Sequence, residues 1–204
     1  MSQPHDAKLE SDTLERIAVN RRKFLQTSVV GSLGLMTVSA LTVGASLKPR
    51  FEVTPEKAPP APNDLLVFAQ GERQGQPISL ADVSENAVLL AFPFDPTQKL
   101  VKGGEVKNTI ALVRVEPESL SNELQSRAVS GVVAYSAVCP HLGCTVATML
   151  EGALYCPCHN SKFDPATGAK IIAGPSPRPL AVLPLKLEGT NLAVAAGFQG
   201  KVGV

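Results

Sequence analysis

Apolar positions fall into one long uncharged run near the start of the chain and then into a series of short ones. Val29 to Leu47 is nineteen residues without a charge, close to the ~20 that cross a bilayer as a helix. This predicts a single transmembrane anchor over 27–47. Residues 48–63, KPRFEVTPEKAPPAPN, hold five prolines in sixteen positions, which suits a semi-extended hinge or linker rather than a helix or central strand. From Leu65 onward the runs are short and β-like: LLVF (65–68), AVLLAF (87–92), NTIALVRV (108–115), GVVAYS (131–136), ALYC (153–156), LAVLPLKLE (180–188) and NLAVAA (191–196). Glu188-Gly189-Thr190-Asn191 reads as a hairpin turn between the last two, and Pro117 to Gln125 as a short helix. The expected fold is all-β: a compact antiparallel head over 64–204, carried on one N-terminal transmembrane helix.

Charge orients the anchor. Lys8, Arg16, Arg21, Arg22 and Lys23 precede it and only Lys48 and Arg50 follow closely, so residues 1–26 form a cytoplasmic tail. The head is then expected on the periplasmic face of a bacterial inner membrane. Arg21-Arg22 followed by Phe24-Leu25 and a mild apolar run resembles a twin-arginine export signal, although Asn20 and Gln26 depart from its usual flanks. That route exports folded proteins, as a domain loaded with metal in the cytoplasm requires. A net charge of +1 gives no basic stripe for nucleic acid, and aromatic residues at 4% with no tryptophan give no stacking platform.

All four cysteines and two of the three histidines sit in two short boxes, CPHLGC (139–144) and CPCHNS (156–161). The remaining histidine, His5, lies in the polar tail and is assigned no role. Written as spacing, the boxes are C-x-H-x2-C and C-x-C-x2-H. Three chemistries compete. Structural zinc sites pair cysteines two to four residues apart with histidines three to five apart, and the two histidines of the boxes stand 18 positions apart. A thiol redox site at Cys156-Pro157-Cys158 leaves both histidines unexplained. A [2Fe–2S] cluster with thiolates on one iron and imidazoles on the other uses both residue types.

CPHLGC with CPCHNS is similar to the paired boxes of the Rieske iron–sulfur family, in its disulfide-containing branch. The resemblance covers 130–180 as the cluster-binding part, and it implies one Rieske-type [2Fe–2S] cluster. By position, Cys139 and Cys156 would hold the inner iron and His141 and His159 the outer one. Cys144 and Cys158 would form a disulfide joining the loops, closing roughly 15 residues for a stabilisation of about 3 kcal/mol, in an oxidising compartment. Ser161 resembles the family serine whose hydroxyl donates to a bridging sulfide. Phe163 stands where high-potential members carry a tyrosine, which implies a lower potential and suits menaquinol better than ubiquinol. GPSPRP (174–179) resembles the proline-rich loop that covers the cluster, with Gly174, Pro175 and Pro177 in that cover and Leu142 shielding from the other side. The resemblance implies an electron-transfer subunit of a cytochrome bc type quinol oxidoreductase, with no catalytic site of its own. It would accept an electron and a proton from quinol at His159, with His141 beside it, next to cytochrome b. A c-type cytochrome would receive the electron. The alternative is the Rieske small subunit of an exported molybdenum oxidase of the arsenite oxidase type.

Overall fold

The computed structural model describes residues 54–204, so the tail, the twin-arginine-like stretch, the anchor and the start of the linker lie outside the described residues. Among the described residues no helix is long and apolar enough to cross a membrane. The described chain is all-β. A seven-stranded antiparallel sheet contains β1 (Leu65–Phe68), β2 (Leu89–Asp95), β3 (Leu100–Val101), β4 (Ile110–Arg114), β5 (Val132–Ser136), β10 (Leu185–Glu188) and β11 (Asn191–Val194). Its order is β10-β11-β1-β2-β4-β5, with β3 on the end of β2. A four-stranded antiparallel sheet runs in chain order through β6 (Thr148–Leu150), β7 (Ala153–Cys156), β8 (Ser161–Asp164) and β9 (Lys170–Ala173).

The apolar runs at 108–115 and 131–136 lack polar alternation because β4 and β5 are buried on both faces. Ile110, Leu112, Val132 and Ala134 point into the core of the large sheet with Leu66, Ile78, Leu183 and Leu192. Val113, Val133 and Tyr135, one residue out of phase, face a second core with Leu154, Phe163, Ala169, Cys139 and Cys156. These two strands therefore serve as the wall between base and small sheet. Tyr135 pins the wall directly, its buried hydroxyl donating to the Pro165 carbonyl at 2.6 Å.

The predicted run LAVLPLKLE is not one strand. Residues 181–183 lie along β5, with Ser136 N–H donating to the Ala181 carbonyl and Leu183 N–H to that of Ala134. Only from Leu185 does the chain enter β10 beside β11. Pro184, which has no N–H to give either ladder, marks the crossing. The crossing curls the large sheet toward a closed barrel and covers the β5 edge. The 188–191 hairpin is as expected, with Glu188 paired to Asn191 across Gly189 at φ 62°. The 117–125 helix is broken into a 3-10 turn, Pro117–Ser119, and one α turn, α1 (Asn122–Gln125), that buries Leu124.

Residues 54–63, placed in the linker by their prolines, lie against the head. Pro55–Lys57 forms a 3-10 turn with proline at its start. Gly104 N–H donates to the Glu56 carbonyl, and the Asn108 side chain to that of Ala58. Lys102 and Asp64 form a buried ion pair at 2.7 Å beneath this segment, and Asp64 also accepts from the Ala61 N–H.

Candidate metal centre

The first box follows β5 as a tight loop. Ala137 N–H donates to the Thr109 carbonyl, holding the loop's root to the base sheet. Cys139 N–H then donates to the Cys144 carbonyl and Gly143 N–H to that of Cys139, so the two cysteines of the box face each other across a closed turn. Gly143, at φ 81°, supplies the left-handed residue this turn needs. The second box is the tip of the β7–β8 hairpin, where Cys156 pairs with Ser161 and residues 157–160 cross over. Asn160 takes the left-handed position there, φ 57°, and accepts a hydrogen bond from the Tyr155 hydroxyl.

A Cys144–Cys158 disulfide bolts the two tips together with 6.6 Å between Cα atoms, as the resemblance implied. Cys139 and Cys156 remain free and buried. Burial, foremost, and the neighbouring Cys156 push the Cys139 thiol above its ordinary pKa, against a His141 backbone hydrogen bond that lowers it. The His141 and His159 rings meet edge to face, centroids 4.5 Å apart. His141 is half-buried and His159 exposed. All four residues expected to hold the metal thus lie at the two tips, thiols inward and imidazoles outward.

The donor set can be tested against the expected group. Three buried polar side-chain atoms lack any partner among the described residues: Arg178 Nε, and two that belong to the two boxes, His141 Nδ1 and Ser161 Oγ. A buried polar atom without a partner is costly, so both are suited to a group the polypeptide does not itself supply. A binuclear cluster divides its ligands by type, with thiolates on one iron and imidazoles on the other. Two thiols within and two rings without match that division. The three cysteine sulfurs that do gather within 4.8 Å are those of Cys144, Cys156 and Cys158. Two of those are already joined as a disulfide, so they offer no thiolate cage to zinc.

The GPSPRP loop reaches the same tips. Gly174, at φ 86°, sits so near β8 that a Cβ there would lie 2.4 Å from Ser161 Cα. Pro175 and Pro177 are exposed beyond it, while buried Ser176 donates to the Arg178 carbonyl. Leu142 is 63% exposed at the tip of the first box. Phe163 is fully buried in the core that holds both free cysteines. Residues that the motif alone did not mark are the braces: Tyr155 on Asn160, and Arg178 donating to the Gly203 carbonyl. An asparagine in the CPCHNS turn, a residue type that tolerates the left-handed conformation, is the sequence signal that could have marked the first. The second joins residues 25 apart and has no local signature.

A family model described as Rieske [2Fe-2S] domain matches residues 96–184. A Haloferax mediterranei protein, provisionally described as the Rieske subunit of a respiratory nitrate reductase, is 35% identical over 173 residues, 83% of this chain and 74% of its own. The cytochrome bc1 complex Rieske iron–sulfur subunit of Streptomyces coelicolor is 27% identical over 191 residues, 91% of this chain and 53% of that longer protein. Among solved structures, a chain of a hyperthermophilic respiratory Complex III covers 80% of this chain and 97% of its own, at 24% identity and a TM-score of 0.40. The likeness in sequence, the all-β fold, the two boxes and the disulfide agree: this chain belongs to the Rieske iron–sulfur family and is an electron-transfer protein of one [2Fe–2S] cluster.

Proposed function

We propose that the chain is the Rieske subunit of a membrane-bound cytochrome bc type complex, taking one electron and one proton from quinol and passing the electron to a c-type cytochrome. The observation that carries this reading is the pair of imidazoles at the tip, 4.5 Å apart, with His159 open to solvent and Leu142 exposed beside the first box. Cys139 and Cys156 would hold the inner iron, and His141 and His159 the outer one. When bound, the cluster supplies a one-electron acceptor whose charge is less negative for having two neutral imidazoles. His159 accepts the hydrogen bond of a quinol hydroxyl and takes its proton at the ring nitrogen that faces outward. The exposed Leu142, Pro175 and Pro177 give the tip an apolar rim that suits a quinone ring and excludes water. Ser161 would donate to a sulfide from its buried position.

Relatives described as cytochrome bc1 and cytochrome b6-f iron–sulfur subunits support this reading. So does the tethered design expected from the sequence, an anchor over 27–47 with the head on the periplasmic face. Residues 54–63 are bonded to the head and so travel with it in any swing between quinol and cytochrome. The test is membranes of a strain carrying this chain, assayed for quinol-driven reduction of the cluster followed by electron paramagnetic resonance. Menaquinol should reduce the cluster and a c-type cytochrome should reoxidise it, with haem b copurifying. A protein that copurifies without haem b and is not reduced by quinol counts against the reading. It would favour the second one, a fixed relay in an exported molybdenum oxidase of the arsenite oxidase type; the 35% identical relative, described as the Rieske subunit of a respiratory nitrate reductase, likewise lies outside the bc type complexes by its description.

A further inference from the structure

Beside the expected ligands stands a third sulfur relationship that electron transfer does not use. The Cys156 sulfur lies within 4.8 Å of both sulfurs of the Cys144–Cys158 disulfide. It is a free thiol in contact range of a bond that thiolates cleave. We propose that Cys156, Cys144 and Cys158 form an internal thiol–disulfide exchange site, active whenever Cys156 carries no iron and silenced when it does. The Cys156 thiolate, its proton given to solvent, attacks the Cys144 sulfur. The Cys144–Cys158 bond breaks with its electron pair on Cys158, which takes up a proton from solvent. One disulfide is broken and one formed, so no oxidant or reductant is consumed.

Two features favour this direction of attack. Cys158 is exposed, so the departing sulfur reaches solvent directly. Cys144–Cys156 still joins the two tips and closes a loop only two residues shorter, so loop entropy hardly separates the isomers. The alternative product, Cys156–Cys158, would bridge a single intervening proline and release the two tips from each other. Cys139, whose thiol neighbours that of Cys156, lies outside the group of three that contains the disulfide among the described residues. The consequence is that the family disulfide is one of two bridges in the cluster-free chain, and ligation of Cys156 selects it. A chain caught in the other isomer has lost a ligand to a disulfide and exposes a reactive thiol at Cys158.

The silencing rests on Cys156 being a ligand; the exchange itself does not. Full-length protein is held at about pH 8.5, a mildly alkaline condition that permits thiol–disulfide exchange, alkylated with N-ethylmaleimide, and cut with trypsin and a glutamate-specific protease. Trypsin alone leaves residues 128–162 together, and cutting after Glu151 separates the two boxes. Four samples are compared: loaded and cluster-free wild type, Cys139→Ser and Cys156→Ser. Cluster-free wild type and Cys139→Ser should show on the order of a tenth or more of chains alkylated at Cys158 with a Cys144–Cys156 cross-link. Loaded protein and Cys156→Ser should show none. Cys158 unlabelled in both cluster-free wild type and Cys139→Ser, or labelled equally in Cys156→Ser, overturns the proposal. Iron and sulfide retained in Cys139→Ser or Cys156→Ser would instead refute the ligand assignment, whatever the labelling shows.

Discussion

Phe163 is the residue at which a single side chain would tune the proposed centre. It is fully buried in the same core as Cys139 and Cys156, and it follows Ser161 by two residues, so it leaves that face of the site without a second hydroxyl. A hydrogen bond to a cluster sulfur disperses charge gained on reduction, and the potential follows the number of such bonds. Phe163→Tyr should therefore raise the midpoint potential, and Ser161→Ala should lower it, both by film voltammetry of the loaded protein. An unchanged potential in the tyrosine variant, with the ring still buried, would sink the explanation. The orphaned Ser161 hydroxyl is the structural counterpart of the same argument, a donor without an acceptor in the polypeptide.

Short elements here depend on specific braces because they are too brief to hold themselves. The turn Leu80–Asp82 is an example: the Asp82 carboxylate accepts from the Ser79 N–H and hydroxyl, both at 2.7 Å, and pairs with Arg73. The Arg73 hydrogen bond is the chief reason the Asp82 pKa falls from 3.8 to about 2; burial opposes it and Ser79 adds to it. A carboxylate with a depressed folded pKa stabilises fully above its unfolded value and loses that stabilisation as pH falls through the folded one. Asp82→Asn should cost about 1 kcal/mol at neutral pH. In urea titrations, the gap to wild type should hold down to about pH 4 and narrow between pH 4 and 2. Tyr135 is the brace between β5 and the small sheet, and burial holds its phenol well above the usual range, so it stays a donor. Tyr135→Phe orphans the Pro165 carbonyl and should cost about 1–3 kcal/mol in thermal unfolding. The resonance signal of a loaded cluster should be unchanged, since the ligand loops keep their own ties.

For the molecule as a whole, the question is which residues move as one body. The buried Lys102–Asp64 pair lies under residues 54–63, and its partners reach the segment through Ala61, while Asn108 reaches it at Ala58. Removing one member leaves a buried charge alone, which costs about 3–5 kcal/mol. Lys102→Met should destabilise the head by that order and speed tryptic cleavage after Lys57. Lys102→Met with Asp64→Leu should recover much of the loss. If Lys57 is cut equally fast in wild type and Lys102→Met, the segment is not held as described.

The two boxes were legible in the sequence because ligand chemistry is local: cysteine and histidine crowd into 139–144 and 156–161, and the resemblance of those boxes made Cys139, His141, Cys156 and His159 the expected ligands. The strands LLVF and ALYC were legible too, being apolar runs bounded by turn residues. The small sheet's other strands were not, because β6, β8 and β9 are three or four residues long and carry Lys162, Lys170 and exposed Thr148. Their pairing partners, not their composition, make them strands. Pro184's splitting of one apolar run between two sheet edges likewise depends on where β5 and β11 lie. So does the docking of 54–63, whose prolines read as linker until a buried lysine 38 positions beyond Asp64 closes on it. Residue type dictates which atoms can bind iron. Only folding, by burying two thiols and leaving two imidazoles at the surface, decides that they meet and which pair faces out.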